Sequence, residues 1–147
     1  MGMIQDSWSQ GMCRVEEGLF FGSDEFISLE GSPHTGYTRA VRCPISDLMA
    51  EEPDAWCALD ATATTWHESH DLSIDAGGTS LEAEGFLALV GHSTGQLLWL
   101  LHLSASEPFT EVKIEVDVIC AKSGGYPDCF HWRIPILTPE ALTVVRG

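Results

Sequence analysis

The segment Gly91-His92-Ser93-Thr94-Gly95 spells G-x-S-x-G directly after the apolar run Phe86 to Val90. That pattern marks a nucleophile elbow, in which a strand ends in a strained turn, a helix follows, and the exposed serine is activated by a histidine that an acid orients. Ser93 would then be the nucleophile of a small serine hydrolase, with Asp117 or Asp128 and His131 as the orthodox acid-then-histidine order downstream. The rest of the chain favours an ordinary hairpin loop. The upstream pattern is β rather than alternating β and α, and only 52 residues follow Gly95, too few for the further β/α units an elbow normally sits among. Gly, Ser and Thr are also common turn residues.

Trp66-His67-Glu68-Ser69-His70-Asp71 places two histidines three apart, with carboxylates beside them. A helix would put both imidazoles on one face and offer a metal two ligands, whereas a strand sends them to opposite faces. The local composition reads as strand or loop, and no spacing points to a third ligand among His34, His92, His102 and His131. No metal and no other cofactor is expected, and a glycine-rich phosphate loop with a following lysine is absent from the sequence.

Carboxylates gather as Glu16-Glu17, as Glu51-Glu52 with Asp54, and as Glu82 with Glu84. None has the D-x-D-x-D-G spacing of a calcium loop. What this density supplies is a negative field that steers a basic protein and rejects wrong partners. Glu51, Glu52, Asp54, Glu82 and Glu84 are the expected partner-binding residues, and no residue is expected to be catalytic. Trp56, Trp66 and Phe86 would anchor such a partner if exposed. Trp56, Trp66, Trp99 or Trp132 would equally form the platform of a sugar- or peptide-binding module if their rings faced solvent.

The elements that must position these groups are mostly strands. Val112, Ile114, Val116 and Val118 alternate with Glu111, Lys113, Glu115 and Asp117, which predicts one strand from Phe109 to Val118 with one wet face. Phe130, Trp132, Ile134 and Ile136 alternate in the same way, and Gly124-Gly125-Tyr126-Pro127 supplies turn residues between the two runs, so a hairpin follows. Pro135 suits an edge strand or a strand end. Phe86 to Val90 and Gln96 to Leu103 read as two strands around a loop; Gly18 to Phe21, Glu25 to Leu29, Tyr37 to Arg42 and Trp56 to Trp66 also read as strands. Ile45 to Glu52 alone looks helical, with Ser46 as its cap and Pro53 as its stop. The expected fold is a single domain over residues 1–147, mainly β or α+β: an antiparallel sandwich or strongly curved sheet with one or two short helices.

Composition bounds the partners. The chain has 147 residues with 22 acids and 7 bases, a formal net charge of −15, and 44% hydrophobic residues. A chain of this size buries roughly 70% of its unfolded surface, so a packed core is expected despite the charge. Arg14, Arg39, Arg42, Lys113, Lys122, Arg133 and Arg146 are scattered singly, which leaves no basic stripe for nucleic acid and none for an anionic membrane surface. Residues 1–90 carry 16 acids and 3 bases, against 6 and 4 in residues 91–147. Met1 to Gln10 lacks the basic cluster and apolar run of a signal peptide, and the longest strongly apolar stretch, Leu97 to Leu101, falls far short of the roughly 20 residues a spanning helix needs. A cytoplasmic protein is expected. The cysteines at 13, 43, 57, 120 and 129 are odd in number, with no C-x-x-C and no close pair, so reduced thiols are expected, Cys57 and Cys120 inert within apolar runs.

The segment from Gly95 to Phe109, the alternating strand after it, and Tyr126 through Trp132-Arg133-Ile134-Pro135-Ile136 resemble the C-terminal region of small bacterial immunity proteins. In that region an apolar Trp-containing strand, a Ser/Asn-Pro-Phe turn, an alternating strand and a W-x-I-P-[IL] strand follow one another. The resemblance implies a cytosolic antidote of a polymorphic-toxin or contact-dependent inhibition system, which binds and blocks one cognate, basic toxin domain. It carries over no functional residue, because such antidotes diverge at their binding surface.

Overall fold

The two apolar runs, Gly85 to Val90 and Leu97 to Leu103, fold into two neighbouring strands that are covered on both faces, which is why neither shows a polar side. In the computed structural model, which describes residues 2–125 and 127–147, these strands lie at the centre of the larger of two antiparallel sheets. In chain order the elements are α1 (Met3–Ser9), β1 (Met12–Arg14), β2 (Gly18–Phe21), β3 (Glu25–Ser32), β4 (Gly36–Arg39), β5 (Cys43–Pro44), α2 (Ile45–Glu51), β6 (Trp56–His67), β7 (Leu72–Thr79) and β8 (Gly85–Gly91). β9 (Leu97–Leu103), β10 (Phe109–Glu115), β11 (Val118–Ser123), β12 (Phe130–Pro135) and β13 (Thr143–Arg146) follow, with single 3-10 turns at Glu68–His70 and Pro139–Ala141. The large sheet runs β1-β6-β7-β8-β9-β2-β3-β4, with β5 also on β3; the small one is the meander β10-β11-β12-β13.

Alternation assigns each face of the large sheet its own core. Leu19, Phe21, Ile27, Leu29, Ile74, Leu87, Leu89, Trp99 and Leu101 face the small sheet and meet Phe109, Ile119, Phe130, Trp132 and Ile134 from it. Phe20, Phe26, Ala88, Val90 and Leu100 point the other way and are roofed by Ile4 of α1 and by Ile45, Leu48 and Met49 of α2. The result is a β-sandwich with two short helices on its outer side, the mainly antiparallel β fold that the composition and alternation predict. Side-chain bonds lock the layers: Thr65 Oγ1 donates to the Val112 carbonyl at 2.9 Å, and Trp99 Nε1 donates to the Ile136 carbonyl at 3.0 Å.

Several boundaries differ from expectation, each for a local reason. The alternating run from Phe109 to Val118 is not one strand: it breaks at Val116-Asp117, and β10 and β11 pair across that two-residue turn, Glu115 opposite Val118. The hairpin expected between that run and Phe130–Ile136 therefore joins β11 to β12 instead; Tyr126, assigned to its turn, lies outside the described residues. Pro135 closes β12 beyond the stretch that pairs with β13, where a missing N–H costs the ladder nothing. The strand expected from Tyr37 to Arg42 ends at Arg39. α2 begins after Pro44 rather than under Ser46: Pro44 is its N-cap, with no side-chain cap bond. α1 was not evident in the sequence because its cap comes from elsewhere; Asp24, in a left-handed turn at φ 64°, accepts from the Met3 and Ile4 N–H groups at 3.1 and 3.0 Å.

Candidate functional site

α2 carries the first group of expected partner-binding acids. Ile45 is buried and Leu48 and Met49 pack on the outer core, so the last turn projects Glu51 and Glu52 into solvent, and Asp54 follows them in the exposed turn before β6. This last turn contains no basic residue. Acids at a helix C-terminus oppose the helix dipole, so these two carboxylates sit where local electrostatics disfavours them.

Arg14 supports this turn from beneath. It is fully buried, and its guanidinium makes a forked pair with Glu16 at 2.9 and 2.7 Å, contacts Met49 Sδ at 3.3 Å and the Leu48 carbonyl at 3.5 Å, and lies 5.1 Å from the Trp56 ring centre. A buried guanidinium is tolerable only with such a complete set of partners. One cation thereby fixes α2, β1 and the start of β6 together, although it neutralises none of the exposed acids of the turn.

The second acidic group rides the turn from β7 to β8. That turn is tied to β6 by the Ser80 N–H donating to the Ala58 carbonyl at 3.0 Å, close in sequence to Asp54 and Trp56. Glu82 is exposed. Glu84 is only half-exposed: its Oε1 lies 3.1 Å from Nε2 of the fully buried His102, whose Nδ1 lies 3.0 Å from the Glu16 carbonyl. Of the five expected partner-binding residues, Glu51, Glu52 and Asp54 present exposed carboxylates at the end of α2 and in the turn before β6, Glu82 presents one on the β7–β8 turn, and Glu84 is turned toward His102. Among the described residues none of those four takes part in an ion pair.

The other chemistry-bearing residues meet at the opposite end of β6. Ser93 lies in the turn between β8 and β9, and a strand rather than a helix follows it, so the elbow geometry is absent. Its hydroxyl donates directly to Asp71 Oδ2 rather than to a histidine. The neighbouring His92 contacts Ser73 Oγ through Nδ1 at 2.7 Å and stacks on Trp66 with ring centres 4.4 Å apart. His131, Asp117 and Asp128 lie on or beside the small sheet, and Asp128 is paired with Arg146 at 2.6 Å. The 3-10 turn brings His67 and His70 together with Nδ1 atoms 2.8 Å apart, a juxtaposition that a strand reading of the segment misses. Among the described residues, no group of three or more His, Cys, Asp or Glu side chains is placed to hold a metal ion.

The tryptophans divide. Trp99 and Trp132 are core, Trp56 is half-buried over Arg14, and Trp66 is exposed; Phe86 is fully buried. The cysteines depart from expectation: Cys13 is the most buried and Cys57 is partly open, while Cys120 lies by Arg133 and Glu115 on the outer side of the small sheet, its thiol raised first by burial. Cys13 and Cys57, far apart in sequence, face each other across β1 and β6.

Set against known proteins, the chain matches no family model, and neither a curated protein nor a solved structure is similar to it at a significant level. Among the described residues no helix is long and apolar enough to cross a membrane.

Proposed function

We propose that this chain is a non-enzymatic binding protein that neutralises a basic protein partner, in its concrete form a cytosolic immunity protein that blocks a cognate bacterial toxin domain. The observation that supports it best is that Glu51, Glu52, Asp54 and Glu82 are exposed and, among the described residues, take part in no ion pair. Five of the seven bases are engaged elsewhere: Arg14 is buried on Glu16, Arg42 approaches Glu25, and Lys113, Lys122 and Arg146 pair on the small sheet. These carboxylates therefore keep their negative field, which a cationic surface would cancel on docking. The C-terminal resemblance to immunity proteins supports the same reading.

The partner is captured from the native lysate on the tagged chain at low salt, eluted with a salt gradient, and assayed for inhibition by added chain. The expected result is a stoichiometric basic domain whose association slows as salt rises, because exposed charges lose reach beyond about 8 Å at physiological ionic strength. Reversing Glu51, Glu52, Asp54 and Glu82 to lysine should abolish retention. An acidic partner bound independently of salt, or unchanged retention by the reversed variant, would overturn the reading.

A further inference from the structure

We infer that Cys13 and Cys57 form a dithiol–disulfide couple, a modification site at which oxidation by a low-molecular-weight disulfide joins β1 covalently to β6. The register places the two residues directly opposite each other, with Sγ atoms 3.6 Å apart. Two residues away on either side, the Val15 N–H donates to the Ala55 carbonyl and the Leu59 N–H donates to the Gly11 carbonyl, at 3.1 and 2.8 Å. Cys13 and Cys57 are thus a hydrogen-bonded pair of the ladder, for which Cα atoms stand about 5.5 Å apart. That separation lies within the roughly 4.4–6.8 Å of disulfides, but the Cβ atoms of such a pair stand toward the wide end of about 4.5–5.5 Å against roughly 3.5–4.5 Å in a disulfide, so closing the bond takes side-chain rotation together with a small inward shift of the three-residue edge strand β1.

Unequal access gives the two thiols different parts. Cys57 is partly exposed at the sheet edge, whereas Cys13 is 4% exposed beneath α1. The Cys57 thiol is held down to about 7, first by its hydrogen bond with Cys13 and also by His102, against burial and the charges of Glu84 and Glu16. The Cys13 thiol is pushed up by the same bond and by burial. The Cys57 thiolate attacks one sulfur of the small disulfide, forming a mixed disulfide and releasing one small thiolate. Cys13 then attacks Cys57 Sγ, its proton passes to solvent, and the second small thiolate leaves. In total the chain gives up two electrons and two protons, and the small disulfide becomes two thiols. In a reducing compartment the couple rests open and closes under oxidative load. The bond encloses β2 to β5 and α2 in one covalent loop and anchors the three-residue β1, against which α1 packs, to the longest strand of the sheet.

The test equilibrates the full chain in glutathione buffers from reducing to oxidising, quenches in acid, alkylates under denaturing conditions, and maps peptides by mass spectrometry. The expected result is a fall from five alkylated cysteines to three, with a Cys13–Cys57 linked peptide that dithiothreitol releases. Cys13→Ala should instead trap one glutathione on Cys57. Alkylation of both Cys13 and Cys57 in the most oxidising buffer, or linkage of Cys57 to any other cysteine, would overturn the inference, and the wild-type map decides this even if the variant fails to fold.

Discussion

The Tyr37 ring lies against the Trp132 indole with centroids 5.8 Å apart, which pins the edge strand β4 of the large sheet to the interior of the small one. Trp132 is satisfied, its Nε1 donating to Ser123 Oγ at 2.8 Å. Tyr37 is not: its hydroxyl is buried with no hydrogen-bond partner among the described residues, and burial, followed by Glu17, pushes its phenol up. A buried hydroxyl without a partner costs about 1–3 kcal/mol. Tyr37→Phe keeps the ring contact and removes that cost, so chemical denaturation should show the variant about 1 kcal/mol more stable. A destabilised variant would mean that the hydroxyl has a partner in solution.

Val116 turns the β10–β11 hairpin at φ 55°, a conformation that a β-branched residue adopts only under strain. Val116→Gly removes a left-handed penalty of roughly 1–2 kcal/mol and adds back somewhat less in backbone entropy. The side chain is 80% exposed, so nothing is lost from the core. The net expectation is a gain of a few tenths to about 1 kcal/mol, read as a rise in denaturation midpoint; a loss would show that Val116 has a packing role.

Ser93 bonds to Asp71, with no histidine placed to take its proton. A fluorophosphonate probe should therefore label wild type no more than Ser93→Ala. Labelling that depends on Ser93 would place the chain among serine hydrolases and displace the binding reading.

Cys57 should alkylate with a pH profile of its own. The thiolate is the reactive form, and the thiol is held down to about 7. Its rate with iodoacetamide should rise through pH 7 and level off near pH 8, where an ordinary thiol of pKa about 8.5 is still climbing. Glu16, Glu84 and His102 face this site, and the dominant influence is the Cys13 bond. Cys13→Ala should accordingly shift the profile upward; an unchanged midpoint would assign the shift to other groups.

Much of the fold was legible because burial leaves a period. β8 and β9 stood out as apolar runs, β6 as a long stretch of Ala, Thr and aromatics, and α2 as a short apolar face before Pro53. The break at Val116-Asp117 was hidden because alternation continues through a turn that contains no Gly, Asn or Pro. α1 was hidden because Asp24, which caps it, lies on a different part of the chain.

The candidate site was legible in composition and much less so in geometry. That Glu51, Glu52, Asp54 and Glu82 are exposed comes from the structure and not from the charge pattern, and nothing local to Glu84 reveals that His102 lies opposite it. Cys13 and Cys57 have no spacing signature, since only the pairing of a three-residue strand brings them together. The Ser93–Asp71 contact likewise depends on two turns meeting at one end of the sheet.

The place of β2 in the large sheet constrains how the molecule can be made. Leu19 pairs with Leu101, so the β2–β3–β4 ribbon has no neighbour for its inner edge until β9 exists. On the ribosome this ribbon emerges early and waits, its inner edge unpaired until β9 follows and Leu19 and Phe21 uncovered until the small sheet, built later as successive local hairpins, packs on them. Closing so distant a pair is slow and leaves sticky edges bare in the meantime. Docking of the ribbon must thus await β9, and a stalled or truncated nascent chain that ends before it would leave this edge bare and prone to aggregate.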